Sequence, residues 1–216
     1  MRITNHGNYL IQLTRFPVLF PVNCYLVRED KDLTLIDAGL PGSAAAILNT
    51  ANELGMPIQR IVFTHAHGDH LGSLDALHHL LPEAEVLVSA RDARFLAGEL
   101  YDGDRVGSLQ VISTPGHTPG HIALFDPRDS TLIAGDAFQT RAGVAVSGTV
   151  RWLFPFPALA TWSRSLALAS ARKLRALQPS RLAVGHGEVL EHPLVEMDRA
   201  IAVTARELGE LQPHGA

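Results

Sequence analysis

Apolar residues recur along this chain in short runs rich in Val, Ile and Leu, punctuated by Gly, Pro and charged residues. Runs of that length and make-up predict strands at Tyr9–Thr14, Val22–Val27, Leu33–Ile36, Arg60–Phe63, Glu85–Val88, Leu109–Ile112, Ile122–Phe125, Thr131–Ala134 and Leu182–Val184. Helical periodicity fills the gaps near Ser43–Leu54, Leu71–Leu80, Ala90–Leu100, Ala158–Leu177 and Pro193–Leu211. Ser43, after Pro41-Gly42, is placed to cap the first of these helices, and Pro193 suits the first turn of the last. Strands in hairpin order, then strands interleaved with helices, predict a mixed, layered α/β fold.

Bulk properties narrow the setting. With 216 residues, 46% of them hydrophobic and 19% charged, the chain suits one packed domain spanning residues 1–216. Its net charge of −4 argues against a nucleic-acid partner. No apolar run approaches the ~20 residues of a membrane span, and Met1–His6 opens no secretion signal. The expected location is the cytoplasm, with no membrane partner. Cys24 is the sole cysteine, so an internal disulfide and a multi-thiolate metal site are both excluded. Its apolar strand makes it a small core residue.

The chemistry lies just past the strands. Ile61-Val62-Phe63 runs into Thr64-His65-Ala66-His67-Gly68-Asp69-His70. Leu109–Ile112 leads to His117, Thr131–Ala134 leads through Gly135 to Asp136, and Leu182–Val184 leads through Gly185 to His186. Asp37 follows Leu33–Ile36 in the same way. Each candidate therefore stands beyond the carboxyl end of a buried strand, where α/β proteins build their sites. Glycine beside Asp136 and beside His186 allows tight turns and close backbone approach.

Imidazole and carboxylate are ligands for zinc and its neighbours. Residues two apart in an extended segment point to one side, so His65 and His67 can grip one ion. Asp69 and His70 then reach a second ion beside it. The count closes with His65, His67, His117 and Asp136 on one ion, and Asp69, His70, His186 and a bridging Asp136 on the other. Two such ions can share a water and act on one substrate.

The run His-x-His-x-Asp-His, followed by a distant His, Asp and His, resembles the signature of the metallo-β-lactamase superfamily. Leu35-Ile36-Asp37-Ala38-Gly39 and Thr114-Pro115-Gly116-His117-Thr118-Pro119-Gly120-His121 are similar to two further motifs of that family. The resemblance spans roughly Val22 to His186 and implies a four-layer αββα sandwich with its metals in a groove at one edge. It also implies a dinuclear, zinc-dependent hydrolase of a small ester, lactone or thioester, with iron or manganese as other compatible metals. By the same resemblance Asp69 is catalytic, orienting the nucleophile and moving a proton to the leaving group. Asp37 and His121 are the residues expected to hold the ligands in orientation.

Within the family the chain resembles the glyoxalase II and lactonase-like branch, with departures from each known type. Position 139 is Gln, where acyl homoserine lactonases carry Tyr, and the chain ends about 30 residues beyond His186, short of a glyoxalase II helical domain. Rival readings are a mononuclear iron oxygenase similar to persulfide dioxygenases, a phosphodiesterase or nuclease, and a non-catalytic metal-binding domain. The segment Val150 to Pro157 is aromatic and proline-broken; groove lining, a homodimer contact and core packing are equally open for it. Gln139, Thr140 and Arg141 follow Asp136 closely enough to face the site, with no assignable role. His78 and His79 are expected on a solvated or partly packed helix face, and His6, His192 and His214 at the surface.

Overall fold

The computed structural model describes residues 1–92 and 98–210. In the first half, β1 (Arg2–His6), β2 (Leu10–Arg15), β3 (Val22–Arg28) and β4 (Leu33–Ile36) form an antiparallel meander. After α1 (Ala44–Leu54), β5 (Ile58–Phe63) pairs parallel to β4. The short α2 (Gly68–Leu71) and α3 (Leu74–Leu80) lead to β6 (Glu85–Ser89) and β7 (Glu99–Leu100), also parallel, which completes a seven-stranded sheet in chain order.

The second half begins with β8 (Arg105–Val106), β9 (Leu109–Ser113), β10 (Ile122–Asp126) and β11 (Thr131–Ile133), each antiparallel to the one before it. A small ribbon of β12 (Phe138–Gln139) and β13 (Ala145–Val146) follows, then α4 (Phe156–Leu159) and α5 (Arg164–Ala176). Next, β14 (Arg181–Ala183) pairs parallel to β11, β15 (Leu190–Glu191) closes the edge, and α6 (Leu194–Glu207) lies last. The second sheet has the order β15-β14-β11-β10-β9-β8.

Alternation along the strands explains the layering. Successive side chains point to opposite faces of a sheet. In β3, Cys24 and Leu26 pack with Ile47 and Leu77 beneath the first helices, whereas Tyr25 and Val27 face the other sheet. Ile61 and Phe63 against Val62 repeat this in β5. In the second sheet, Val111, Leu124 and Ile133 face the first sheet, while Ile112, Ala123 and Leu132 pack with Leu174 and Met197 of α5 and α6. Both faces of these central strands are thus dry, which is why they read as continuous apolar runs. The result is the expected αββα sandwich.

Four local differences have physical causes. The helix expected over Ala158–Leu177 breaks at Thr161–Ser163, because the N–H groups of Trp162 and Ser163 donate to the carbonyls of His117 (3.0 Å) and Gly116 (2.9 Å) instead. The helix expected over Leu71–Leu80 breaks at Gly72 and Ser73. There the Ser73 hydroxyl accepts from the Ser43 N–H (2.8 Å) and donates to the Leu40 carbonyl (2.7 Å). Ser43 stands at the N-cap of α1 as expected but makes no side-chain cap bond. Of the helix expected over Ala90–Leu100, residues 93–97 lie outside the described residues, and Glu99–Leu100 is strand. His214 also lies outside the described residues.

Candidate metal centre

Parallel pairing of β4 and β5 sets Asp37 beside Thr64, with the Asp37 N–H donating to the Val62 carbonyl (2.9 Å). Asp37 is buried and holds φ at 59°, an uncommon backbone for a residue with a side chain. Its carboxylate accepts the Thr64 N–H (2.9 Å), the Thr64 hydroxyl (2.9 Å) and the His70 Nδ1–H (2.8 Å). Since the Thr64 hydroxyl spends its proton on Asp37, it accepts from His65 Nδ1–H at 3.0 Å. These partners assign the tautomers of His65 and His70 with Nε2 facing the site.

The other donors are held by different groups. His117, in the loop after β9, has Nδ1 2.9 Å from the Ser147 hydroxyl. Asp136 sits in a 3-10 turn after β11, its N–H donating to His121 Nε2 at 3.0 Å. His121 Nδ1 in turn meets the Thr114 hydroxyl at 2.8 Å. His186, after β14, donates Nδ1–H to the Pro21 carbonyl at 2.8 Å. Glycine is required between these elements. A Cβ on Gly185 would stand 2.1 Å from Asp136 Oδ1, and one on Gly135, where φ is 49°, 2.8 Å from Thr64 Cβ.

All seven strand-end donors named from the sequence come together. His67 Nδ1 is 3.1 Å from His65 Nε2 and 3.0 Å from His117 Nε2. Asp136 Oδ2 is 3.3 Å from both His117 Nε2 and His186 Nε2, and Oδ1 is 3.7 Å from His70 Nε2. Asp69 Oδ2 is 3.4 Å from His186 Nε2. Donor atoms group within 4.8 Å as His65-His67-His117, His65-His70-Asp136 and Asp69-His70-His186.

This set fits metal ions. His70 Nε2 and Asp136 Oδ1 are buried with no hydrogen-bond partner, an arrangement that costs roughly 1–3 kcal/mol for each such group unless something binds there. Charge is distributed to match. Burial opposes protonation of His70 and His186, but Asp37 and Asp136 outweigh it at His70 and Asp136 outweighs it at His186; they rise to about 9 and about 10. Burial would raise Asp136, yet His186 and His70 hold it well below the usual carboxylate range. For His117 and His121 burial dominates and lowers them to about 4 and about 3.

Above the donors lies a cleft of about 220 Å³. Its floor is His67, Asp69, His117, Asp136 and His186, and its wall is Phe20, Phe156, Pro157 and Ala160. The aromatic segment divides its work: Phe154 is buried with its ring 5.4 Å from His186, Phe156 lines the cleft, and Trp152 and Leu153 face outward. Gln139, Thr140 and Arg141 do not line it; Thr140 donates to the Glu188 carbonyl and Arg141 to that of Val18. Sequence reasoning missed Thr64, Ser147, the Pro21 carbonyl and Phe20. Thr64 directly precedes His65, a signal that was there to read; Phe20 is far from every donor in sequence.

An αββα sandwich with a His/Asp donor cluster at one edge defines a metal-binding α/β protein. The model of the metallo-beta-lactamase superfamily matches residues 17–107 and 101–186, and the chain belongs to that superfamily. The uncharacterized protein YobT of Bacillus subtilis (strain 168) is 49% identical, over 93% of this chain and 97% of that protein. A hydroxyacylglutathione hydrolase of Vibrio cholerae serotype O1 (strain M66-2) is 29% identical over 67% of this chain, a match that spans 58% of that enzyme. The crystal structure of TTHA1623 in a di-iron-bound form superposes with a TM-score of 0.68 at 26% identity, covering 85% of this chain and 95% of that one. Among the described residues, no helix is long and apolar enough to cross a membrane.

Proposed function

We propose that this chain is a dinuclear metal-dependent hydrolase of a small ester, lactone or thioester. The observation that carries the reading is the convergence of seven donors from four strand ends, two of them with buried atoms that lack any partner. His65, His67, His117 and Asp136 would hold one ion, and Asp69, His70, His186 and Asp136 the other. When bound, the ions polarise a carbonyl and bring the pKa of a water toward ~7. Asp69 is the cleft-lining carboxylate that stays partly exposed, at 25% of its side chain, whereas Asp136 is buried. Burial would raise it, but the hydrogen bond from His186 lowers it, so it is ionised and able to accept the proton of an attacking water. It then delivers that proton to the leaving group. Zinc is the first candidate on ligand chemistry and the di-iron-bound neighbour supports iron as the second, with manganese compatible with the same ligands.

The test is metal analysis beside a hydrolysis panel of lactones, thioesters, esters, phosphodiesters and β-lactams. The reading expects about two ions per chain and turnover of a carbonyl substrate that chelation abolishes. Full activity in the stripped protein would contradict it. Oxygen uptake with an organic persulfide, and no hydrolysis, would replace it with iron oxygenase chemistry.

A further inference from the structure

The most exposed large apolar side chains stand within four residues, in sequence, of the cleft-lining Phe20, Phe156 and Ala160. Leu19 is 85% exposed, Trp152 91%, Leu153 88% and Leu159 74%. Scattered exposed hydrophobics need no explanation, but two short segments that both carry them do. Each segment is fastened through its main chain to a donor histidine. The Pro21 carbonyl, just after Leu19 and Phe20, accepts from His186, and the Trp162 N–H donates to the His117 carbonyl. The segments meet where the Phe20 and Phe156 rings lie 5.2 Å apart. Apolar surface therefore runs unbroken in sequence from the cleft wall to the exposed residues.

The cleft itself has little room, and neither Lys nor Arg is among its described lining residues. Its volume of about 220 Å³ is below the roughly 300–1,000 Å³ of sites that enclose a small molecule. Apart from the donors, its described lining is Phe20, Phe156, Pro157 and Ala160, with no Lys, Arg or hydroxyl to hold a charged or polar substituent.

We infer that the substrate carries an apolar acyl or aryl arm, which leaves the cleft past Phe20 and Phe156 and lies on the rim formed by Leu19, Leu153 and Leu159. The cleavable carbonyl sits over the donors, and the arm supplies the binding that the small cleft does not. This rests on the hydrolase reading above. The rim continues the cleft wall, so the substrate's own arm is its occupant rather than a second copy of the chain.

The experiment measures kcat/KM on zinc-loaded protein for three homologous series: straight-chain lactones, thioesters of one thiol, and p-nitrophenyl esters. In the series that is turned over, kcat/KM should rise about two- to fourfold per added methylene until the rim is covered. The double variant Leu153→Ser, Leu159→Ser should flatten that rise with metal content at the wild-type level; both side chains are exposed, so folding is not at stake. A flat series on an active wild-type enzyme overturns the arm and leaves the hydrolase standing. A rise that persists in the double variant also overturns it, and if the same variant turns a dimer into a monomer, the rim is a contact between copies. No turnover in any series by protein holding two ions contradicts the hydrolase reading, and the arm with it.

Discussion

On one side of the site, His65, His67, Asp69 and His70 occupy a single turn, and two of them lean on the Asp37 carboxylate, His70 directly and His65 through Thr64. On the other side, His117, Asp136 and His186 arrive from three strand ends and rest on neutral groups: the Ser147 hydroxyl, His121 Nε2 and the Pro21 carbonyl. The first arrangement shares one anion among several groups, so damage at Asp37 spreads. The second gives each donor its own support, so damage there stays local. Asp136 faces donors of both sides through both oxygens, Oδ1 toward His70 and Oδ2 toward His65, His117 and His186.

The comparison is broken most severely at that shared residue. Asp136→Ala should lower bound metal from about two ions per chain and reduce kcat by a thousandfold or more, read by elemental analysis and steady-state rates. Unchanged metal content would remove Asp136 from the proposed centre.

Supporting residues sharpen it. Asp37→Ala leaves the Thr64 and His70 donors buried without an acceptor, at roughly 1–3 kcal/mol each, and should weaken metal binding about 10–100-fold. Ser147→Ala removes one neutral partner, and the Thr161 hydroxyl already lies 3.4 Å from His117 Nδ1 to replace it. Its effect on affinity should stay below about tenfold. Chelator competition and thermal melting check both, and equal losses would erase the contrast between the two sides.

The smallest effect is in protons. Without metal, His70 and His186 keep their protons up to about 9 and about 10, while His117 is lowered to about 4. Ligation demands neutral imidazole, so loading at pH 8 should release protons, about two per chain, and apparent affinity should climb as pH rises toward 9. Titration in buffers of different ionisation enthalpy measures this release. Metal affinity that is flat across this range would place His70 and His186 outside the centre.

The contrast also explains what could be read in advance. The turn from His65 to His70 is contiguous, so its donor spacing is visible in the sequence, as is the placement of His117, Asp136 and His186 at strand ends. The layered α/β character was equally visible, because runs such as Cys24 to Val27 and Ile61 to Phe63 bury both faces, whereas the four-layer sandwich was what the family resemblance implied. The polar edge strand Arg2–His6 carried no apolar run and was missed. So was the break at Thr161–Ser163, since the bonds that cause it come from His117 and Gly116, more than 40 residues away. Phe20 reached the cleft wall by the same long-range route: Pro21 is pulled in by His186, and no local pattern encodes that contact.

Anomalous diffraction from crystals of the metal-loaded protein tests the central claim most directly. Two peaks roughly 3.5–4 Å apart, one beside His65, His67 and His117 and the other beside Asp69, His70 and His186, with Asp136 between them, are the predicted result. A single peak, or density away from these seven side chains, would contradict it.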